Sequence, residues 1–404
     1  MKVLCYTAPV RGHLFPTVPI LLELKRRGHE VVIRTMGAEV PRLREMGLKA
    51  DAVTAEIDAI QLEDYKGKNP VESLKLGVVS FVRRGALEVP EMRAAIEEEQ
   101  PDLLLVDVVT WGAAAVAETW GGPWAVVQHA PTPVPSDEVP PFGPGLKPMG
   151  GPLGRLRNRL LRPLTLGAVE RVVVPKLNEL RASVGASPVR DARDTFTRAP
   201  LTLYVTSESF DYPRSDWPDS FCFTGPLNWD PPVDPPAWLD PLSRPIALVT
   251  TSSEFQDDGE LVRVALAALA EEPLDVVATM PAGVEEVELP ANAHLEEFVP
   301  HSHVLPRAVV AVTHGGFGAT QKALSAGVPV VVVPFGRDQA EVGRRVEAVG
   351  VGVFLPRKKL SPASLRDAVR RARELEPATR AFAERMKHEG GASLAVDRLE
   401  QLLG

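Results

Sequence analysis

Two stretches of alternating strand and helix patterns, one in each half of the chain, restrict the possible folds more than any other feature. In the first half, apolar runs such as residues 2–8 and 101–109 are separated by segments whose apolar residues follow helical spacing. The same alternation starts again after residue 245. Strand–helix–strand units normally build parallel sheets. The pattern therefore predicts an α/β protein with two doubly wound domains.

The chain length and a proline cluster suggest where these domains meet. A chain of 404 residues is too long for one ordinary hydrophobic core. Residues 225–245 hold the densest group of prolines and little periodicity, which is typical of a semi-rigid linker. We expect one domain over residues 1–224, a second over 246–380, and a C-terminal helix over 381–404 that packs back toward the first domain. A ligand is then expected in the cleft between the sheets.

Composition excludes several other classes of protein. The formal net charge of −8 argues against nucleic acid as the main partner, because phosphate backbones require a basic surface. Only two cysteines occur, which does not support a disulfide framework. No run approaches the length of a membrane-spanning helix, and the first residues lack the features of a signal peptide. We expect a cytoplasmic protein with no stable membrane insertion, as a monomer or a homodimer.

A glycine-rich turn in the second half is the strongest local signal. Residues 312–327, VTHGGFGATQKALSAG, predict a strand, a turn and a helix that begins near Ala319. Glycines allow close approach of a ligand, and the amides at a helix start bind anions. The turn matches neither a P-loop nor the GxGxxG pattern, which makes a dehydrogenase a poor interpretation. On shape alone, a tight turn with no ligand is an equal alternative.

Residues 313–339, THGGFGATQKALSAGVPVVVVPFGRDQ, resemble the C-terminal signature of the GT-B glycosyltransferases of the UDP-glycosyltransferase superfamily. Within that superfamily they are most similar to bacterial enzymes that decorate macrolides and other natural products. The resemblance implies two Rossmann-like domains that face each other across a cleft. It also implies a hexosyltransferase that takes its sugar from a UDP- or TDP-sugar, with no cofactor beyond this co-substrate. A small apolar acceptor is implied as the second substrate.

The resemblance assigns roles at the donor site residue by residue. His314 corresponds to a donor to the diphosphate, and Phe298 to the aromatic residue that stacks on the base, next to the base-edge contact made by the Val299 backbone. Asp338 and Gln339 correspond to the pair that holds sugar hydroxyls, although Asp338 could instead be a helix N-cap. The remaining expected donor-site residues are Gly316, Gly318, Ala319 and Thr320, whose amides would surround the phosphates, and Ser252 and Ser253 as hydroxyl donors.

Several residues depart from the family pattern around this donor site. Ala319 replaces a serine or threonine, and neighbouring Thr320 could compensate for the lost hydroxyl. Lys322 replaces a glutamate that binds ribose hydroxyls in plant members, and a cation cannot accept those hydrogen bonds. These changes leave open which nucleotide and which sugar the chain binds.

A histidine and an aspartate in the first half are the candidate catalytic residues. His13, in the segment GHLFP, lies in the predicted loop after the first strand and resembles the family's general base. Asp107 ends another predicted strand at the same sheet edge and corresponds to the partner that orients the base. Asp107 as the N-cap of the following helix is the alternative. The resemblance offers one base and no enzyme nucleophile, which implies inversion at the anomeric carbon, and the absence of a DxD element predicts no metal.

The first domain is expected to supply the acceptor pocket. We expect the walls of this pocket to come from residues 60–90 and from the proline- and glycine-rich loop 132–156. A polyketide, a macrolide or a flavonoid would fit an apolar pocket, and the linkage could be to oxygen, nitrogen or carbon. The expected acceptor contacts are Phe81, Trp111, Val134 and Phe142.

Two other functions stay open at this point. The basic stretch at residues 154–163 could touch an anionic surface, which would suit a glycosyltransferase with a lipid acceptor. A solvated helix face is the simpler interpretation of that stretch. Alternatively, the chain could be a glycosyltransferase-like binding or auxiliary protein without turnover, which Ala319 and Lys322 would favour.

Overall fold

The computed structural model describes residues 1–404, and the first half of the chain forms a seven-stranded parallel sheet. Its strands β1 to β7 are Lys2–Tyr6, Glu30–Thr35, Lys49–Ala52, Leu103–Asp107, Trp124–Gln128, Leu201–Tyr204 and Phe221–Phe223. Their order across the sheet is β3-β2-β1-β4-β5-β6-β7.

The second half forms a separate six-stranded parallel sheet. Its strands β8 to β13 are Ile246–Thr250, Asp275–Thr279, Ala293–Glu296, Ala308–Thr313, Val330–Val332 and Gly352–Phe354. Their order is β10-β9-β8-β11-β12-β13.

Fifteen helices connect and cover these strands, and none of them is both long enough and apolar enough to cross a membrane. In the first half, α1 to α8 are Arg11–Arg26, Val40–Glu45, Ala55–Asp58, Pro70–Glu99, Trp111–Trp120, Gly151–Leu161, Leu166–Ser183 and Ala192–Phe196. In the second half, α9 to α15 are Gly259–Leu269, His301–Val304, Phe317–Ser325, Gln339–Val349, Pro362–Arg373, Glu376–Met386 and Ala392–Gln401.

The central strands are apolar except at their carboxyl ends, because helices cover both faces of each sheet. Every residue of β4 and of β8 is buried. Successive side chains of β4 enter opposite cores: Leu103 and Leu105 join one cluster, and Leu104 and Val106 join the other. This period of two is the geometry of a strand, and it fixes which face each residue serves.

Each sheet has a topological switch point, where the chain continues toward opposite edges of the sheet, and this point lies inside the sheet. β1 lies between β2 and β4, and β8 lies between β9 and β11, so the chain leaves in opposite directions at these points. Crevices beyond the carboxyl ends of such strands are the usual ligand sites of open α/β sheets. His13 follows β1 and Asp107 ends β4, while Thr250 and Thr313 end β8 and β11.

The C-terminal helix lies on the first half of the molecule. Ala395, Val396 and Leu399 of α15 are fully buried in the core that contains β1 and α1. The Arg27 guanidinium on α1 donates to Asp397 Oδ1 at 2.6 Å and also pairs with Glu400. The chain thus passes from the second sheet back across to the first.

Polar contacts join the two halves across the cleft. The Arg337 guanidinium, in the turn before α12, makes two hydrogen bonds to the Asp64 carboxylate at 2.9 and 3.0 Å. The buried Glu341 carboxylate accepts the amides of Gly143 and Gly145, both at 2.9 Å. The loop before α6 is therefore anchored on α12, and the two halves are in contact across the cleft.

Two local expectations were wrong about where helices begin. His13 lies in the first turn of α1, which starts at Arg11 rather than after a loop. The long loop expected over residues 132–156 ends at Gly150, because α6 starts at Gly151. The prolines and glycines of residues 132–156 suggested a loop throughout, whereas α6 has its proline in the first turn, and α1 likewise contains Pro16 and Pro19 within the helix.

Candidate active site

A cavity of about 1320 Å³ lies between the two sheets. Its walls come from both halves of the chain and include the starts of α1 and α11. Pockets for one small molecule usually measure about 300–1,000 Å³, so this cavity has room for two substrates at once.

His13 and Asp107 meet at one wall of this cavity. The imidazole Nδ1 of His13 lies 2.8 Å from Asp107 Oδ2. The Asp107 side chain is only 1% exposed, and it also accepts the amides of Ala8 and Val109. Helix α5 starts at Trp111 with Thr110 at its N-cap, so the alternative that Asp107 caps this helix is wrong. The carboxylate holds the imidazole through Nδ1 and leaves Nε2 free.

The electrostatics of the pair favour a charged carboxylate. Burial by itself would raise the pKa of Asp107, but the charge and hydrogen bond of His13 outweigh burial and lower the pKa to about 2. Burial likewise lowers the pKa of His13, but the Asp107 charge and hydrogen bond outweigh it, and the net pKa is raised. The carboxylate therefore stabilises the imidazolium that a general base becomes after it takes a proton.

A second buried imidazole, His129, completes this cluster and was missed in the sequence. Its Nε2 lies 3.4 Å from Asp107 Oδ1 and 3.1 Å from His13 Nδ1, and the two rings meet edge to face. Burial and the neighbouring His13 charge lower the pKa of His129 to about 3, which keeps it neutral. The available signal was its position directly after β5, the strand beside β4.

The same three side chains are the group that could hold a metal ion. One ligand atom from each of His13, Asp107 and His129 lies within 4.8 Å of the others. The hydrogen bonds among them account for this proximity without an ion, since a buried carboxylate needs such partners.

The glycine-rich turn lies on the second sheet and carries free amides. Gly315 has a φ of +96°, which an L side chain rarely adopts, and α11 then starts at Phe317. The amides of Gly316, Gly318 and Ala319 donate to no group in the protein. Unpaired amides at a helix start form a ready anion site, because the positive end of the helix dipole lies there too.

His314 stands beside this turn with little room around it. Its Nδ1 lies 3.4 Å from the Thr250 carbonyl oxygen, and a Cβ atom on Gly316 would lie only 2.5 Å from its Nε2. Burial lowers the pKa of His314 below its usual value. The close approach explains why a glycine is required at residue 316.

Thr320 does not take the position expected for it. Its amide donates to the Gly316 carbonyl at 3.0 Å, and its hydroxyl lies 3.4 Å from that of Thr313. The side chain is fully buried and points away from the cavity into the core of the second half. Thr320 therefore cannot replace the hydroxyl that Ala319 lacks, because the first turn of α11 directs residue 320 inward.

The loop after β8 brings two serines to the cavity. The Ser252 amide donates to Asp258 Oδ2 at 2.8 Å, and its hydroxyl accepts the Glu254 amide. Ser253 lines the cavity opposite α1, where its Oγ would lie 3.5 Å from a Cβ on Gly12. Ser253 is therefore the freer of the two expected hydroxyl donors.

The region expected to bind the base contains an aromatic ring and an unpaired backbone segment. Phe298 lines the cavity, and the Arg11 guanidinium lies 5.7 Å from its ring centre. Val299 is 2% exposed, and neither its N–H nor its C=O has a hydrogen-bond partner in the protein. Buried backbone groups are rarely left unpaired, so this segment is suited to bind a polar ring edge.

Comparisons with known proteins agree with this geometry. The family model for the C-terminal domain of proteins like erythromycin biosynthesis protein CIII matches residues 263–395. The chain is 35% identical to 4′-demethylrebeccamycin synthase of Lentzea aerocolonigenes, over 98% of this chain and 97% of that one. It is 28% identical to the L-demethylnoviosyl transferase of Streptomyces niveus, over 88% of this chain and 85% of that enzyme.

The chain belongs to the natural-product glycosyltransferases.

Solved structures confirm the expected GT-B fold of this glycosyltransferase. The kitacinnamycin glycosyltransferase superimposes with a TM-score of 0.77 at 23% identity, over 100% of this chain and 99% of that one. The glycosyltransferase VinC, solved in complex with dTDP, superimposes with a TM-score of 0.70 at 22% identity, over 100% and 99% of the two chains. At these identities the likeness establishes the fold.

In this glycosyltransferase, the side chains of Asp338 and Gln339 differ in how many of their polar atoms already make hydrogen bonds within the protein. Asp338 occupies the N-cap position of α12, as the alternative expected, but its side chain makes no capping hydrogen bond and lines the cavity. Gln339 accepts the amides of Phe335 and Gly336 and donates to Gln256 Oε1 at 2.7 Å. Only one N–H of Gln339 is left for a ligand, because the rest of its amide holds the turn in place.

Lys322 of the glycosyltransferase is held by an acidic partner. Its ammonium donates to Asp230 Oδ1 and, at 3.0 Å, to the Trp229 carbonyl. The side chain is thus directed to the linker segment instead of standing free near the phosphates. Asp230 brings a carboxylate to a region where the family's glutamate is missing, and it lines the cavity.

Three of the four expected acceptor contacts line the cavity. Phe81 and Trp111 pack with ring centres 5.2 Å apart, and Phe142 lies on the loop anchored to α12. Val134 is the exception: it is 3% exposed and belongs to a core cluster with Tyr204 and other residues. The expectation for Val134 was wrong because its side chain packs into this core, although the neighbouring Pro133 lines the cavity.

Helix α7 supplies a wall of the cavity that the sequence did not indicate. Val169, Val173 and Val174 line the cavity opposite Val78 of α4. A helical spacing of valines predicts a buried face, but it does not distinguish a packed core from the wall of a cavity.

Proposed function

We propose that this glycosyltransferase moves a sugar from a UDP- or TDP-sugar to a hydroxyl of a small apolar natural product, with inversion at the anomeric carbon. The observation that supports this most directly is the pairing of His13 with Asp107 on one wall of a cavity whose other wall carries the free amides of the glycine-rich turn. A base and an anion site face the same space.

In the proposed step, the acceptor hydroxyl attacks the anomeric carbon while Nε2 of His13 takes its proton. The bond between this carbon and the diphosphate oxygen breaks, and the nucleoside diphosphate leaves with the electron pair. A single displacement inverts the anomeric centre. Asp107 stays ionised and stabilises the imidazolium, as its low pKa favours.

The leaving diphosphate would be stabilised by the amides of Gly316, Gly318 and Ala319 together with His314. Preorganised backbone donors can neutralise developing charge without a metal ion. We therefore propose that the reaction needs no metal and no cofactor beyond the nucleotide sugar. The Phe298 ring and the Val299 backbone would hold the base, and Asp338 would bind sugar hydroxyls.

We assign a positioning role to His129. With the proton on Nδ1 of His13 directed to Asp107, a neutral His129 can direct its own Nε2–H to the other carboxylate oxygen. The carboxylate is then fixed from both sides, and His13 keeps the tautomer that leaves Nε2 able to accept a proton.

The proposal includes the division into domains over residues 1–224 and 246–380, joined by 225–245, with 381–404 returning to the first domain. The strand ranges of the two sheets and the burial of α15 against α1 support this division. The last boundary differs, because α14 runs across residue 381 and buries Phe382 and Met386 in the core that contains β12. We also propose that the enzyme acts in the cytoplasm, as a monomer or a homodimer.

The test is a transfer assay with purified enzyme, a panel of UDP- and TDP-sugars and a panel of apolar hydroxylated acceptors. The anomeric configuration of the product is determined by NMR, and we expect it to be inverted. His13→Ala should lower turnover by about 10²–10⁴-fold, while nucleotide-sugar binding measured by calorimetry persists. A retained configuration, full activity of His13→Ala, or a large loss of rate on adding a chelator would contradict the proposal.

A further inference from the structure

Helix α6 presents its apolar side to solvent and its small or polar side to the protein. Leu153, Leu156, Leu160 and Leu164, spaced three and four residues apart on the helix and the turn after it, are 53–75% exposed. A helix on a globular protein normally buries such a stripe. The sequence favoured a solvated polar face for this segment, and the structure differs.

The inward face explains why the leucines cannot simply rotate into the core. Asn158 is fully buried, and its amide donates to the Asp137 carbonyl at 3.0 Å. A Cβ on Gly154 would lie only 1.8 Å from the Met149 carbonyl oxygen. Both residues fix the orientation of α6, and this packing holds its leucines outward. We call Leu153, Leu156, Leu160 and Leu164 the leucine stripe.

Arginines border the leucine stripe, although the whole chain is acidic. Arg155 and Arg159 have side chains that are 63% and 71% exposed, and Arg157 and Arg162 lie on the same segment. Two acids face them: Glu138 pairs with Arg155, and Asp137 pairs with Arg159 and Arg162. The local balance stays positive on a protein with a net charge of −8.

The stripe leads to the entrance of the cavity between the sheets. Leu164 is 73% exposed and also lines that cavity, together with the next residues Thr165 and Leu166. A partner that covers the leucines would therefore lie beside the part of the cavity that Leu164 and Leu166 line.

We propose that the leucine stripe binds the surface of an anionic lipid bilayer. A protruding helix with leucines flanked by arginines is the pattern that lies in the headgroup region of such membranes. The four leucines can cover only about half of the roughly 800 Å² per partner that a stable protein interface buries. The stripe also lacks the tyrosine and tryptophan that concentrate in protein interfaces. The proposed binding is adsorption of this helix in the headgroup region.

Co-sedimentation of the full chain with vesicles tests this proposal. We expect binding to phosphatidylcholine vesicles that contain phosphatidylglycerol, and little binding to phosphatidylcholine alone. Leu156→Gln with Leu160→Gln should lower the vesicle-bound fraction by about tenfold or more. The matched control is Val284→Gln with Leu289→Gln, two residues of the second half that are each 49% exposed, and it should bind as wild type.

The charges are tested separately with Arg155→Gln and Arg159→Gln, which should weaken binding to the anionic vesicles and reduce its dependence on salt. Equal binding by wild type and the leucine variant would overturn the proposal. So would a wild-type dimer, detected by light scattering, that the leucine variant converts to a monomer, because a second copy would then cover the stripe. Vesicle binding does not require glycosyl transfer, so a failure of the proposed function leaves this result independent.

Discussion

His13 is partly exposed and His129 is buried, both beside the same carboxylate, and their pKa values move in opposite directions. His13 makes the shorter contact to Asp107, and its pKa is raised once the Asp107 charge outweighs burial. His129 is farther from the carboxylate and close to His13, so burial and the His13 charge lower its pKa to about 3. One imidazole can therefore take a proton while the other stays a neutral donor.

The raised pKa of His13 predicts how kcat changes with pH on the acidic side of its pH profile. A protonated imidazole cannot accept the hydroxyl proton, so kcat should rise as pH increases through the pKa of His13. Asp107→Asn removes the main cause that raises this pKa, so the rise should move to lower pH while the maximal rate falls. The measurement is kcat against pH for both enzymes. A rise at unchanged pH in Asp107→Asn would contradict the pairing.

The positioning role of His129 predicts a difference between two substitutions. His129→Phe keeps the volume but removes the N–H directed to Asp107, and we expect kcat to fall by about tenfold, below the range typical of losing a general base. His129→Gln keeps an N–H donor and should recover much of this loss. Both variants should bind the nucleotide sugar like wild type in calorimetry. Equal kcat values for the two variants would mean that His129 acts only through packing.

At the scale of secondary-structure elements, two helices make contacts that their own sequence patterns do not predict. The start of α11 combines Gly315 with its positive φ, Gly316 close to His314, and free amides, so one turn carries most of the groups proposed to bind the diphosphate. Helix α15 has an ordinary apolar face, but that face completes a core built by the opposite end of the chain.

The packing of α15 predicts a large loss of stability from one truncation. Leu399 is fully buried, so Leu399→Ala should destabilise the protein by about 2–5 kcal/mol through lost burial and the cavity left behind. The measurement is the urea midpoint followed by circular dichroism. Leu403→Ala is the control, because Leu403 is 42% exposed and should change stability by no more than about 0.5 kcal/mol. Similar midpoints for both variants would mean that α15 does not hold the first half together.

Considered as a whole molecule, the enzyme is two sheets held around a shared cavity by contacts from several segments. Arg337 pairs with Asp64, and Glu341 holds the loop at Gly143 and Gly145. Arg337 directly precedes Asp338, so a contact that closes the cleft adjoins a residue proposed to bind the sugar. We therefore expect a change in this contact across the cleft to affect donor binding through the same turn.

The contact across the cleft predicts the effect of Asp64→Asn. Loss of the charged pair should remove about 1 kcal/mol of closure energy, which corresponds to a shift of about fivefold toward open forms. We expect a larger radius of gyration by X-ray scattering and a donor KM raised about fivefold. Glu63→Gln is the control, since the neighbouring Glu63 pairs only with Lys66. An unchanged radius of gyration in Asp64→Asn would show that this pair does not keep the cleft closed.

The sequence by itself determined the repeated strand–helix alternation, the glycine-rich turn and the approach of His13 to Asp107. Each follows from local periodicity or from the rule that parallel strands end at a common edge. Only the tertiary structure decided that His129 joins the pair and that the side chains of Val134 and Thr320 point inward. It also decided that the Gln339 amide is largely used in hydrogen bonds within the protein, and that α6 turns its leucines outward. The physical reason is that a pattern states which side chains share a face, whereas the direction of that face depends on what the distant parts of the chain pack against it.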